Sequence, residues 1–527
     1  MAEHMIGKVG EFPDGQMKQA EAGGLKLLIV NQGGELSALA GECPHQGAPL
    51  AEGVLHGGHV RCPWHQARFC ACSGDIDQPP ALDSLSRFDV RVEDGQVIVS
   101  VPDEAKLHRH PEMASLDPQA DGRTFVLVGG GAAAGAAAEA LRQAGYQGRI
   151  VMITREDCGP YDRTELSKYY LSKDEAPQVA LRPTDFYERC GVELMTGCEV
   201  TAVDPAMRRV ELSGGESLQY DACLLATGSR ARRLPVAGMD LPGVLTLRAV
   251  ADADAVRAAA TGAQNVVVVG ASFIGTEVAG SLTSAGKSVT VVAPESVPLE
   301  RVLGGQVGAA LMALHEKGGT QFKLGARLEG FEGNGRVEAV VLQGGERIPA
   351  DLVVVGVGAE PVTDYLKGIA LNEDGSVSVD AGMRVADGLW AAGDIARFPD
   401  PRTGELIRVE HWRLALQLGR VAAMNMAGRA TRYDDMPFFW TDQAGTVLAY
   451  IGHAPRWDDT VVDGDVESGS GFLVHYVQEG KVRAACAVYR DAEMGAIAEL
   501  MRADAMPTPD ELRAGGVDLV GRARQME

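Results

Sequence analysis

The 527-residue chain contains no apolar run approaching the roughly 18 residues needed to span a bilayer. Met1 to Gly10 lack the charged-then-apolar layout of a secretion signal, so the cytoplasm is the expected compartment. Basic blocks are scarce, none being longer than Arg230-Ala231-Arg232-Arg233. With 49 Lys and Arg against 72 Asp and Glu, the formal charge is −23. A chain this acidic gains little from phosphate contacts, which argues against nucleic acid as a partner. An acidic surface can still steer a basic protein or a cationic patch on a redox partner. Cysteine is sparse, at nine residues, yet Cys43, Cys62, Cys70 and Cys72 cluster near the N-terminus. A chain of this length needs no disulfide scaffold. In a reducing compartment, cysteines beside histidines suggest metal before disulfide.

Glycine is abundant: 65 of 527 residues, about 12% against a usual 7% or so. Without a collagen-like period, that excess points to tight turns and close backbone approaches to ligands. The first hundred residues read as short strands separated by Gly-Gly pairs, which predicts a small all-β domain. From Pro102 to Gly122 the pattern dissolves into Asp, Glu, His, Pro and Gln, which reads as a linker able to span at most about 70 Å. Beyond it, Phe125–Val128 runs through three glycines into an alanine-rich helix and the strand Arg149–Thr154. A second such unit starts at Val266–Val269, about 140 residues later. Two βαβ units imply two doubly wound α/β nucleotide-binding domains, and the segment after Pro437 alternates strands and turns before a helix near Met494–Arg502.

Cys43-Pro44-His45 and Cys62-Pro63-Trp64-His65 form a C-x-H … C-x-x-H pattern with sixteen residues between the halves. Two thiolates and two imidazoles suit zinc or an iron–sulfur cluster. A zinc finger normally places a C-x-x-C pair before paired histidines. Here each loop supplies one cysteine and one histidine, as a [2Fe–2S] cluster with one iron on cysteines and one on histidines requires. The pattern resembles the Rieske domain. High-potential members of that family add a disulfide between the loops, and hydroxyls that donate to the sulfurs. At those positions this chain has Ala48-Pro49, Trp64, Ala67 and Phe69. Lost hydrogen bonds disfavour the extra charge of the reduced cluster, so a low potential is expected. Gln66 stands where glycine usually follows the second histidine. Cys70 and Cys72 share one strand face and are expected to be small buried hydrophobes, poorly placed to bond each other.

Gly129-x-Gly131-x-x-Ala134 follows a strand and opens a helix, with Glu156 22 residues beyond Ala134. The first glycine makes the turn, the second admits a pyrophosphate, and the small third residue keeps helix against strand. With Ala226-Thr227-Gly228 and Gly393-Asp394 downstream, the series resembles the FAD-binding half of the two-dinucleotide flavoproteins, in which Asp394 would hold the ribityl chain. The second fingerprint, Gly270-x-Ser272-x-x-Gly275, falls where that family binds NAD(P)H, and Glu295, 20 residues past Gly275, is placed to accept ribose hydroxyls. With no basic residue closer than Arg301, NADH is favoured over NADPH.

Pro160-Tyr161-Asp162-Arg163, Leu166-Ser167-Lys168, Glu410-His411-Trp412, Gln417-x-Gly419-Arg420 and Phe439-Trp440-Thr441-Asp442-Gln443 are similar to the oxygenase-coupled ferredoxin reductases and the apoptosis-inducing factors. A Rieske domain joined to such a reductase is the layout of apoptosis-inducing-factor-like proteins. The resemblance implies a Lys168–Glu277 ion pair beside the flavin, with Arg163, His411, Trp412 and Trp440 around the cofactor. Like this family, the chain lacks the C-x-x-x-x-C pair of disulfide reductases. The expected division is a Rieske domain at 1–103, a linker at 104–122, an FAD domain at 123–245 and 366–436 interrupted by an NAD(P)H domain at 246–365, and an α+β C-terminal domain at 437–527. The expected activity moves electrons from NADH through FAD to the chain's own [2Fe–2S] cluster and then to a protein acceptor. An oxidase or quinone reductase, and a redox-sensing interaction protein with slow flavin reduction, are the alternatives. A homodimer is left open.

Overall fold

The computed structural model describes residues 2–526; Met1 and Glu527, the outermost residues of the expected first and last domains, lie outside the described residues. The N-terminal domain is all β. Its larger sheet pairs Ala2–Lys8, Gln96–Val101, Arg87–Glu93, Glu35–Ala40, Leu25–Gln32 and Gln16–Ala22 in that order, every contact antiparallel. The apolar run Leu27-Leu28-Ile29-Val30 is buried on both faces, and Val97 and Val99 alternate inwards from their strand. A smaller sheet of Val54–His56, His59–Arg61, Arg68–Cys70 and Ile76–Gln78 stands beside it. One cysteine–histidine loop follows Glu35–Ala40, and the other closes the hairpin between His59–Arg61 and Arg68–Cys70.

The segment expected to be an extended linker is instead laid down on its neighbours. His108–Arg109 pairs with Ser84–Leu85 of the N-terminal domain. Further on, the Ala114 and Asp117 N–H groups donate to the carbonyls of Arg142 and Gln147. Backbone hydrogen bonding, which the polar composition of the segment did not reveal, ties it to both domains.

The next sheet has the order Val192–Met195, Arg149–Ile153, Thr124–Val128, Ala222–Leu225, Leu389–Ala391, parallel throughout, with Arg384–Ala386 added antiparallel. Its fifth strand arrives only after the chain has built a second parallel sheet, Val244–Thr246, Leu352–Val355, Asn265–Val269, Ser288–Ala293, Gln321–Leu324. The first domain is therefore interrupted by the second, and Val244–Thr246 straddles the expected 245/246 division. The continuous valines of Val266–Val269 suit a strand covered on both faces. A five-stranded antiparallel sheet from Phe438 to Val488 and the helix Asp491–Arg502 form the last domain. Two short helices, Pro509–Ala514 and Leu519–Arg524, follow where no helix was expected.

Candidate functional site

Both glycine fingerprints lie where a strand ends and a helix begins. Gly129 has φ +123°, and a Cβ there would sit 2.2 Å from the Ala226 carbonyl oxygen, so only glycine closes this turn. Gly131 caps the helix Ala132–Gln143, and a Cβ at this position would meet no protein atom within 4 Å. The second glycine thus opens onto free space at a helix N-terminus, the setting in which backbone N–H groups receive a pyrophosphate. Fully buried Ala134 packs within the helix's inner face. Gly270 and Gly275 behave like Gly129: a Cβ at Gly275 would lie 2.2 Å from the Gly270 carbonyl oxygen. Ser272 fits in place of glycine because its hydroxyl turns away and donates to the Gly356 carbonyl at 2.7 Å.

Three cavities lie side by side and share wall residues. The first is lined by Gly129, Gly131, Glu156, Thr227, Gly228, Gly393 and Asp394. It shares Arg163, Arg248, Glu410 and Trp412 with a second, lined also by Lys168, Glu277, His411 and Trp440. That second cavity shares Ser272, Phe273, Gly356 and Gly358 with a third of about 650 Å³, which holds Glu295. Two nucleotide-sized arms therefore converge on one chamber. Ala226 lies at the strand end behind the first arm and also lines it.

The chamber is polar where charge is needed. Lys168 Nζ lies 3.0 Å from Glu277 Oε2, and the other Glu277 oxygen accepts from Thr441 Oγ1 at 2.6 Å. Ser167 Oγ also donates to Glu277. Asp394 is buried, and its Oδ2 accepts from Arg248 at 2.6 Å and from Ser229 at 2.7 Å. Burial opposes ionisation of this carboxyl, but those partners hold it below the ordinary aspartate range. Glu156, 22 residues past Ala134, bonds Arg163 and accepts from the Tyr161 hydroxyl at 2.6 Å. In the third cavity Arg301 stands 3.5 Å from Glu295, and Arg327 lines the same wall. Arg248 was missed in the sequence because no motif surrounds it; Ser229 adjoins Ala226-Thr227-Gly228 and Thr441 lies within Phe439–Gln443, but nothing marked either apart from its neighbours. Ser167 sits inside a motif, but nothing marked it apart from Lys168.

The cysteine–histidine loops assemble two and two. Cys43 and Cys62 share a thiol hydrogen bond, and His45 Nδ1 faces His65 Nδ1 at 3.1 Å. No three such groups converge on a single ion among the described residues. A two-iron cluster with one iron on each pair needs separate sulfur and imidazole pairs. Burial holds the His45 imidazole at about 4 and His65 well below its ordinary value, leaving both neutral and able to ligate. Burial opposes ionisation of Cys62, but hydrogen bonds from Cys43 and the His65 and Trp64 N–H groups bring its thiol down. Cys70 and Cys72 depart from expectation: Cys72 is exposed, Cys70 is only half-buried, and their sulfurs are 3.1 Å apart. The chain leaves the strand at Cys70 and turns, so the extended rise that separates residues two apart in a strand no longer applies.

The loops and the chamber touch. The His65 and Trp440 ring centroids are 4.2 Å apart, those of His45 and Trp412 6.2 Å, and those of His45 and Trp440 5.9 Å. The buried Trp412 Nε1 and His411 Nδ1 at the chamber wall have no hydrogen-bond partner among the described residues, which suits a polar cofactor edge.

Two linked dinucleotide domains, a sulfur–imidazole pair of loops and a shared chamber define a nicotinamide- and flavin-linked oxidoreductase carrying a Rieske domain. The pyridine nucleotide-disulphide oxidoreductase family matches residues 123–419, the Rieske [2Fe-2S] domain residues 2–89, and the reductase C-terminal domain residues 438–521. The chain belongs to this pyridine nucleotide-disulphide oxidoreductase family, in the branch that resembles apoptosis-inducing factor 3. It is 38% identical to apoptosis-inducing factor 3 of Homo sapiens over 95% of this chain and 84% of that protein. It is 34% identical to the ferredoxin–NAD(+) reductase component of the biphenyl dioxygenase system of Paraburkholderia xenovorans, over 75% of this chain and 97% of the other. A solved covalent putidaredoxin reductase–putidaredoxin complex superposes with a TM-score of 0.72 at 32% identity, covering 77% of this chain and 99% of that one. The cofactors are FAD and a [2Fe–2S] cluster, with NADH as reductant. No helix among the described residues is long and apolar enough to cross a membrane.

Proposed function

We propose that this chain oxidises NADH and delivers the electrons through FAD to its own Rieske cluster, from which a protein acceptor draws them. When bound, the flavin takes two electrons as a hydride and the cluster accepts them one at a time. The helix N-termini behind Gly129–Gly131 and Gly270–Ser272 hold the two pyrophosphates, and Asp394 anchors the ribityl chain with its charge fixed by Arg248. Glu295 takes ribose hydroxyls of the nicotinamide nucleotide. Lys168 and Glu277 orient the flavin edge, each held by further hydrogen bonds so that neither moves freely. Cys43 and Cys62 ligate one iron, His45 and His65 the other.

The observation that carries this reading is the contact between His45 and His65 and the tryptophans of the chamber wall. A sensor using only its flavin would have no need of it. The purified protein should contain flavin, iron and acid-labile sulfide. Anaerobic NADH titration followed by visible and electron paramagnetic resonance spectra should reduce both centres. Zinc alone, or a cluster that stays oxidised under excess NADH, would refute the proposal.

A further inference from the structure

The second ligand loop is gripped at both ends by the reductase. Arg61 immediately precedes Cys62 and Gln66 immediately follows His65, so they bracket Cys62-Pro63-Trp64-His65. Arg61 donates to Glu499 at 2.7 Å and to Asp435 at 3.2 Å. The Gln66 carbonyl accepts from Arg413 at 3.0 Å, and Arg413 also donates to Asp435 at 3.0 Å. Asp435 is thus shared by a guanidinium from the Rieske domain and one from the helix that starts at Trp412. All four charged groups are no more than 2% exposed. Two positive and two negative charges cancel there, the condition under which buried ions persist.

Gln66 is a separate sign of the same design. Its φ is +63°, a conformation that favours glycine, so the side chain is kept at a cost in backbone strain. Within its own domain that side chain donates once, to the Pro63 carbonyl at 3.2 Å. It is otherwise buried against Gly495 of the C-terminal domain, where an added Cβ would lie 3.7 Å from its Oε1. Val54 joins the hydrophobic core of that domain, and Arg182 of the FAD domain reaches Asp83 of the Rieske domain at 2.6 Å.

We propose that Arg61, Gln66 and Arg413 are positioning residues that keep the Rieske domain docked on the flavin chamber of its own chain. The inference rests on the function proposed above. Transfer between the two centres is then intramolecular, and the histidine side of the cluster is closed to external proteins. Each NADH yields NAD⁺, a proton and two electrons. The cluster carries these singly to two molecules of a one-electron acceptor protein, which meets a different face of the Rieske domain.

Stopped-flow mixing of the anaerobic holoprotein with NADH tests this. The first-order constant for cluster reduction should not change with protein concentration. Arg61→Lys and Gln66→Gly should keep the rate of flavin bleaching and the magnetic spectrum of the cluster, yet slow flavin-to-cluster transfer by about tenfold or more. A constant that rises in proportion to protein concentration, or wild-type transfer in both variants, overturns the proposal. Should Arg61→Lys lose its cluster, the concentration series and Gln66→Gly still decide. Cluster reduction absent at every concentration speaks against the electron-transfer function itself; reduction that scales with concentration speaks only against docking in cis.

Discussion

At the scale of single residues, the cluster loops differ from high-potential Rieske loops by what they lack. Ala67, whose carbonyl accepts from the Cys62 N–H at 2.8 Å, is fully buried and offers no hydroxyl. Ala67→Ser should raise the midpoint potential by about 60 mV or more, the equivalent of one charge-assisted hydrogen bond for a one-electron couple. Protein-film voltammetry would read that shift, and an unchanged or lower potential would count against it. The cysteine–histidine pattern and its order stood out in the sequence because metal chemistry restricts such patterns so tightly, and the fold brings the two loops together. Gln66 was legible only as a departure from glycine. Its left-handed backbone and its contact with Gly495 come from a domain some 430 residues away in the chain, beyond the reach of local pattern.

At the scale of elements, the two strand–turn–helix units follow from pattern alone, since valine runs, glycine turns and small-residue helix faces agree with one another. The two glycines of the first turn should respond differently to substitution. Gly131→Val adds atoms only to open space, so the fold should keep its melting temperature while FAD content after purification falls sharply. Gly129→Ala forces a Cβ against the Ala226 carbonyl at positive φ, and should cost about 1–3 kcal/mol of stability in chemical denaturation. In the second arm, Glu295→Ala removes the carboxylate beside Arg301 and leaves two arginines on that wall. The ratio of kcat/KM for NADH over NADPH should drop by about tenfold, the value of one lost hydrogen bond plus relieved repulsion. The segment 104–122 was illegible at this scale. Its polar composition suited a free tether, but its backbone groups found partners on two neighbouring domains.

At the scale of the whole molecule, the four domains meet around one buried ionic seam and one chamber. Glu277 joins three of them, through Lys168, its own helix and Thr441, and Arg61 joins three through Asp435 and Glu499. In the seam, burial opposes ionisation of Asp435 and Glu499, yet Arg61 and its neighbours hold both carboxyls below their ordinary values. Such groups contribute stability above their unfolded values, about 3.9 for Asp and 4.3 for Glu, and lose it as pH falls towards the folded ones. Melting temperature should therefore drop on acidification below about pH 4, and Asp435→Asn should flatten that dependence while costing about 3–5 kcal/mol near neutrality. None of these seam charges stood out in the sequence, because each resembles a surface residue until its partner from another domain is in place.

Whether NADH and the cluster communicate through this chain is decided by a single-turnover experiment. One equivalent of NADH is mixed anaerobically with holoprotein, and flavin absorbance and the cluster's magnetic signal are followed together. The flavin should bleach first and then partly regain colour as the cluster signal grows. Complete, lasting flavin bleaching beside a silent cluster, relieved only by an added mediator, would contradict such communication.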